Sequence, residues 1–87
     1  MIKWSEGVDN VGDNTETRFV LAENVRQIRE LRGWTQAEFA ERSGVSRPRI
    51  SEIERATGST TVDIIDKLAK AAGVTPAALQ TPGDFIP

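Results

Sequence analysis

Gln36-Ala37-Glu38-Phe39-Ala40-Glu41-Arg42-Ser43-Gly44-Val45-Ser46-Arg47-Pro48-Arg49-Ile50-Ser51-Glu52-Ile53-Glu54-Arg55 is the stretch that decides how this chain folds. Immediately before it, Thr35 begins a T-x-x-E pattern completed by Glu38. That pattern is a specific helix-start signal: the hydroxyl accepts from a free backbone amide, and the carboxylate reaches back to the threonine N–H. Ala37, Phe39 and Ala40 give the first helix its apolar side. Gly44 ends it, because a positive φ is cheap only without a Cβ. Ser46 then offers its hydroxyl as the cap of a second helix. Pro48 falls in the first turn of that helix, where its missing N–H matters little. Val45, Ile50 and Ile53 pin the second helix to the body. Ala40 sits where the two helices cross, and a larger side chain there would push them apart.

Working outward, Leu21, Val25, Ile28 and Leu31 recur at helical spacing and predict a helix over 18–32, stopped by Gly33 in a left-handed conformation. After the central pair, Thr57-Gly58-Ser59-Thr60 reads as a loop by composition. A fourth helix is expected over about 61–72, with Val62, Ile65, Leu68, Ala69 and Ala72 facing inward and Gly73 ending it. Thr75-Pro76 starts a short fifth helix with proline at its first position, and Leu79 packs inward. Three regions follow: a flexible polar arm over 1–17, a helical domain over 18–80 and a turn-like tail over 81–87. In the arm, Ile2, Trp4, Val8 and Val11 are isolated apolar residues, so it is either a mobile leader or a segment that folds onto the domain or a second subunit with Trp4 as anchor.

Composition narrows the function. The chain has 87 residues, enough for one domain with a marginal core. It contains no cysteine and no histidine, which removes thiol nucleophiles, imidazole bases, disulfides and the usual zinc ligands. An enzyme is therefore not expected, nor is a metal or other cofactor. No apolar stretch is long enough to span a membrane, and the N-terminus has no long apolar h-region, so secretion is not expected. With the missing cysteines, this points to a cytoplasmic protein. The net charge is −2, but it is unevenly distributed. Residues 1–25 carry two cations against five acids, whereas residues 26–55 carry seven arginines against five glutamates. Positive charge is thus concentrated on the helical segment, which is compatible with nucleic-acid binding despite the acidic total.

Residues 21–80 closely resemble the lambda-repressor-like helix-turn-helix domain of the Cro/C1 (XRE) family of bacterial and phage regulators. The resemblance is carried by Ile28-Arg29-x-Leu31-Arg32-Gly33-x-Thr35-Gln36, Ala40, Gly44-Val45-Ser46, Ile50-Ser51-x-Ile53-Glu54 and Leu68-Ala69-Lys70-Ala71-Ala72-Gly73-Val74. It implies an all-α, compact five-helix fold whose third helix enters the major groove of DNA. It also implies base contacts at Arg47, Pro48 and Glu52, a contact near the DNA backbone at Gln36, and an Arg29–Glu54 salt bridge joining the first helix to the third.

The residues support part of this independently. At ~100° per residue, Ile50 and Ile53 define an inner face, leaving Pro48, Ser51, Glu52 and Arg55 opposite, with Arg47 at the edge. Arg47 suits guanine O6 and N7 through its planar fork, or else a phosphate. Pro48 can touch only apolar surface such as a thymine methyl, or serves to start the helix. Glu52 can accept from cytosine N4, or pair with Arg49 or Arg55 three residues away. Gln36 stands at a helix N-terminus, a natural phosphate position. Ser46, Ser51, Thr57 and Ser59 can add hydroxyl contacts to the backbone, and Arg49 and Arg55 can reach phosphates. The reading reached is a sequence-specific DNA-binding regulator, a homodimeric repressor of an inverted repeat, pairing through helix 5 and the tail as relatives do. The alternative is the antitoxin of a toxin–antitoxin pair, using the acidic arm to bind a protein toxin.

Overall fold

A computed structural model of the chain describes residues 15–58 and 60–83, and these form five helices and no strand. They are α1 (Thr15–Leu31), α2 (Gln36–Ser43), α3 (Arg47–Glu54), α4 (Val62–Ala72) and α5 (Pro76–Leu79). Ile2, Trp4, Val8, Val11, Ser59, Phe85 and Ile86 lie outside the described residues. The all-α, five-helix architecture matches the sequence reading.

Local chemistry sets most helix limits. Thr35, Ser46, Thr61 and Thr75 each accept from the backbone N–H three residues on, those of Glu38, Arg49, Ile64 and Ala78. Each side chain thus satisfies a donor that the helix start would otherwise leave unpaired. At Thr35 the box is complete, because Glu38 Oε1 accepts from the Thr35 N–H at 2.8 Å. Gly33 and Gly73, at φ 75° and 79°, close α1 and α4. In each, the following residue's N–H returns to the helix: Trp34 to Arg29 O and Val74 to Ala69 O, both at 3.0 Å.

The core is one cluster. Leu21, Val25 and Ile28 of α1 meet Phe39 of α2, Ile50 and Ile53 of α3, Ile65, Leu68, Ala69 and Ala72 of α4, and Leu79 of α5. Four sequence expectations change. α1 begins at Thr15 rather than Arg18, so Thr15–Thr17 of the region read as arm are helical. Extending a helix already anchored by Leu21 and Val25 is far easier than starting one, which explains the extra turn. Leu31 is 55 % exposed, because by helix geometry it has rotated off the face that Leu21 and Val25 share. Arg32 falls in line with that face instead, and its Nε and Nη2 donate to Ala72 O at the end of α4 at 3.1 and 2.6 Å. Val62 is 75 % exposed, since it opens α4 beyond the edge of the core. Ala37 is exposed, lying on the side of α2 away from buried Phe39; Trp34 supplies the missing apolar contact, its ring centroid 5.4 Å from that of Phe39.

Two polar contacts join distant parts of the chain. Asn24 is buried, and its Nδ2 donates to the carbonyls of Leu79 and Thr81 at 2.9 Å and of Ala78 at 3.3 Å. One α1 amide therefore ties α1 to carbonyls at the C-terminal end of α5 and just beyond it. Arg29 joins α1 to α3: its Nε and Nη2 donate to Glu54 Oε2 and Oε1 at 2.7 and 3.0 Å, and its Nη1 donates to Trp34 O at 3.0 Å. The two side chains are only 16 % and 6 % exposed. The hydrogen bond to Glu54 raises the Arg29 pKa above its ordinary value, with burial opposing. A raised pKa means that the arginine's contribution is complete at neutral pH and is lost as pH climbs through the arginine range.

Chemical denaturation should show Arg29→Met destabilised by roughly 2–4 kcal/mol, because Glu54 would be left as a nearly buried charge without its cation. A loss below about 0.5 kcal/mol would mean the pair behaves like an exposed one. A second test concerns the end of α3. Ala56, at φ 59°, is the one non-glycine residue with a positive φ among those described; its N–H donates to Ile53 O and that of Thr57 to Glu52 O. A side chain in that conformation is strained, so Ala56→Gly should raise stability by about 0.5–1 kcal/mol; an unchanged or lowered midpoint would show that the strain is absorbed elsewhere.

Candidate nucleic-acid interface

The turn between α2 and α3 is built from small parts. Gly44, at φ 79°, donates its N–H to Ala40 O at 2.9 Å. The Val45 N–H donates to Ser43 Oγ at 3.1 Å. Val45 is buried beneath the turn, and Ile50 and Ile53 bury the inner side of α3. The face of α3 opposite Ile50 and Ile53 is therefore presented outward by packing, whatever its own polarity.

Six side chains meet on the outer surface. Gln36, Arg47, Pro48, Ser51, Glu52 and Arg55 line an open hollow of about 280 Å³ between the start of α2 and the face of α3. Arg47, Pro48 and Arg55 are exposed, and Gln36, Ser51 and Glu52 are half-buried. The hollow thus combines two guanidinium groups, a carboxylate, a hydroxyl, an amide and an apolar ring. Such a set can reach base edges and phosphates, and its planar cations suit bidentate acceptors.

Several of these groups are oriented by neighbours. Gln36 Nε2 donates to Glu54 Oε1 at 3.1 Å. The carboxylate only accepts, so it turns the amide nitrogen inward and leaves the amide oxygen on the other branch. Arg55 Nη1 donates to Ser51 Oγ, one turn back along α3. Arg49 Nη1 lies 3.8 Å from Glu52 Oε1, with both side chains nearly half exposed. Of the two arginines offered as partners for Glu52, Arg49 is thus the one at ion-pair distance. That pair contributes little to stability but fixes where charge sits on the surface.

The remaining sequence-derived residues fall outside the hollow. Ser46 Oγ accepts from the Arg49 N–H at 3.3 Å, so its hydroxyl caps α3. Thr57 Oγ1 donates to Glu52 O at 3.1 Å and closes the end of the same helix. Ser59 is outside the described residues. Arg29 and Glu54 stand behind the hollow as its brace.

Sequence reasoning missed Trp34 and the tie between Gln36 and Glu54. Trp34 packs on Phe39, carries the Arg42 guanidinium 4.8 Å from its ring centroid, and gives its carbonyl to Arg29. Its place just after the Gly33 stop was the available signal, because an apolar residue there commonly folds back on its helix. Nothing in the spacing of Gln36 and Glu54, eighteen residues apart, marks them as neighbours.

No helix among the described residues is long and apolar enough to cross a membrane. Residues 25–79 match the model of the helix-turn-helix family HTH_3. A protein named a hypothetical transcription factor from Neisseria meningitidis is 37% identical over 70 residues, covering 80% of this chain and 66% of its own. An uncharacterized HTH-type transcriptional regulator, y4dJ, from Sinorhizobium fredii is 36% identical over 72 residues, covering 83% of this chain and 94% of its own. The control protein C.SmaI of Serratia marcescens is 37% identical, covering 71% and 74%. Among solved structures, the Neisseria transcription factor superposes with a TM-score of 0.73 at 38% identity over 76% of both chains. An HTH_3 family regulator from Vibrio cholerae gives 0.71 at 25% identity, over 75% of this chain and 36% of that one. The matched region contains both helices and the hollow between them, and the chain belongs to the helix-turn-helix family of Cro/C1-type DNA-binding transcriptional regulators.

Proposed function

We propose that the protein is a cytoplasmic, sequence-specific repressor that binds an inverted-repeat operator as a dimer. The observation that carries this reading is the hollow on α3, where Pro48 and Glu52 stand on the side opposite Ile50 and Ile53 with Arg47 at its edge. A helix offered in this way fits the major groove. Arg47 reads guanine through O6 and N7, Glu52 accepts from cytosine N4, and Pro48 meets a thymine methyl. Gln36, Ser46, Arg49, Ser51 and Arg55 hold the DNA backbone, with Thr57 and Ser59 on the following loop. Two of these roles are shaped by the geometry. Gln36 is aimed by Glu54, and Glu52 stands beside Arg49, so the carboxylate also guides an arginine and repels phosphates in a shifted register.

Dimerisation is supported by the surface where α1 meets the start of the tail. Phe19 is 60 % exposed and borders a hollow of about 370 Å³ with Val20, Pro82 and Gly83. A second copy pairing along α5 and the tail would cover it. Two recognition helices would then enter successive major grooves about 34 Å apart, and occupancy of a promoter would exclude polymerase.

Selection from a random DNA pool should return two inverted half-sites one helical turn apart. Unpaired or directly repeated sites would overturn the dimeric operator. Arg47→Ala should relax preference at one base pair in each half-site, at about 1–3 kcal/mol per site by competition binding. A uniform loss over all sequences would instead assign Arg47 to a phosphate.

A further inference from the structure

Between the start of α1 and the start of α4, bordered by Thr60 of the α3–α4 connection, lies an apolar groove to which the DNA reading assigns no role. Leu21 and Ile65 form its floor and Val62 one wall, with Thr17, Arg18 and Gln80 at the rim, enclosing about 260 Å³. Leu21 and Ile65 are almost fully covered, while Val62 remains 75 % exposed. Val62 is the first residue of α4, where a polar side chain would serve equally well. Its apolar side chain extends the hydrophobic surface of the groove outward from Leu21 and Ile65.

We propose that the occupant is the chain's own N-terminal segment, residues 1–14, docked through Trp4 with Val8 or Val11 beside it. Position and reach favour this occupant. The segment joins α1 at Thr15, and Thr17 and Arg18, just inside the helix, line the groove, so the chain enters at the groove's own rim. Ten residues lie between Trp4 and Thr15, and the eleven steps along the chain reach up to about 36 Å when extended. A tether this short holds the segment at millimolar effective concentration, so a single aromatic anchor suffices. Composition favours it too: Ile2, Trp4, Val8 and Val11 recur in an otherwise polar stretch.

The test uses the full chain with Trp34→Phe, which leaves Trp4 as the sole indole. Trp4 emission should be blue-shifted and shielded from acrylamide, independent of protein concentration. Adding Val62→Glu should shift the emission to the red and expose the indole. This substitution is mild for the fold, because the site is exposed and an acidic residue suits a helix N-terminus. Leu31→Glu, on a different exposed surface, should leave the emission unchanged. Because the chain has no cysteine, a Val11→Cys, Val62→Cys pair should oxidise to a monomer with an internal crosslink. Trp4 quenched like a free indole in the Val62 background would overturn the proposal. So would shielding that grows with protein concentration, or crosslinks formed only between chains, both of which would assign the groove to a second copy. DNA binding is read separately, so failure here leaves the repressor reading untouched.

Discussion

The bidentate pair between Arg29 and Glu54 is the constraint on which the rest of the molecule depends. α3 is only eight residues long, too short to be stable alone. Its buried side holds just Ile50 and Ile53, which fix depth but allow some rotation. The planar contact between guanidinium and carboxylate removes that freedom, because two parallel hydrogen bonds specify an orientation as well as a distance. Arg29 is in turn held by the Trp34 carbonyl, and Trp34 by Phe39. The outer face of α3 is therefore registered against the longest of the described helices through a chain of partly buried contacts.

Glu54 has a second task. By accepting from Gln36 it links the start of α2 to the end of α3. The same carboxylate that braces the recognition helix thus also sets the Gln36 amide. A family resemblance leads one to expect the pair and the glutamine as separate features, and the geometry joins them. The surface it organises is mixed in sign, with Arg47 and Arg55 alongside Glu52. Such a surface draws less of its affinity from charge alone than an all-basic one. Fit to a particular sequence has to carry more of the binding.

Most of the fold was legible because its punctuation is local. Thr35 with Glu38, Ser46 with Pro48, Thr75 with Pro76, and the stops at Gly33, Gly44 and Gly73 all act within a few residues. The periodic positions Leu21, Val25, Ile28, Ile50, Ile53, Leu68 and Ala69 were equally readable and are all in the core. The failures share one cause. Leu31, Ala37 and Val62 are apolar and near the right spacing, but each lies where the neighbouring element has ended or turned away. Asn24 was invisible for the converse reason. An isolated polar residue on an apolar face looks like a weak point until the α5 carbonyls come to meet it. Within the candidate site, which residues face outward followed from Ile50 and Ile53, whereas the partners of Gln36 and Arg55 depended on three-dimensional packing.

The four hydroxyl caps at Thr35, Ser46, Thr61 and Thr75 bear on how quickly the molecule forms. Each start signal is complete within a single turn and needs no distant partner. Nascent helices can therefore flicker into place independently, and α2 with α3, or α4 with α5, can pair across very short connections. Helical domains with mainly local contacts fold in microseconds to milliseconds. The step that must wait is the meeting of α1 with α3, which closes a loop of about 25 residues between Arg29 and Glu54. The transition state for folding should therefore contain the capped helices with α1 docking onto them, and substitutions at the caps should slow folding more than they speed unfolding.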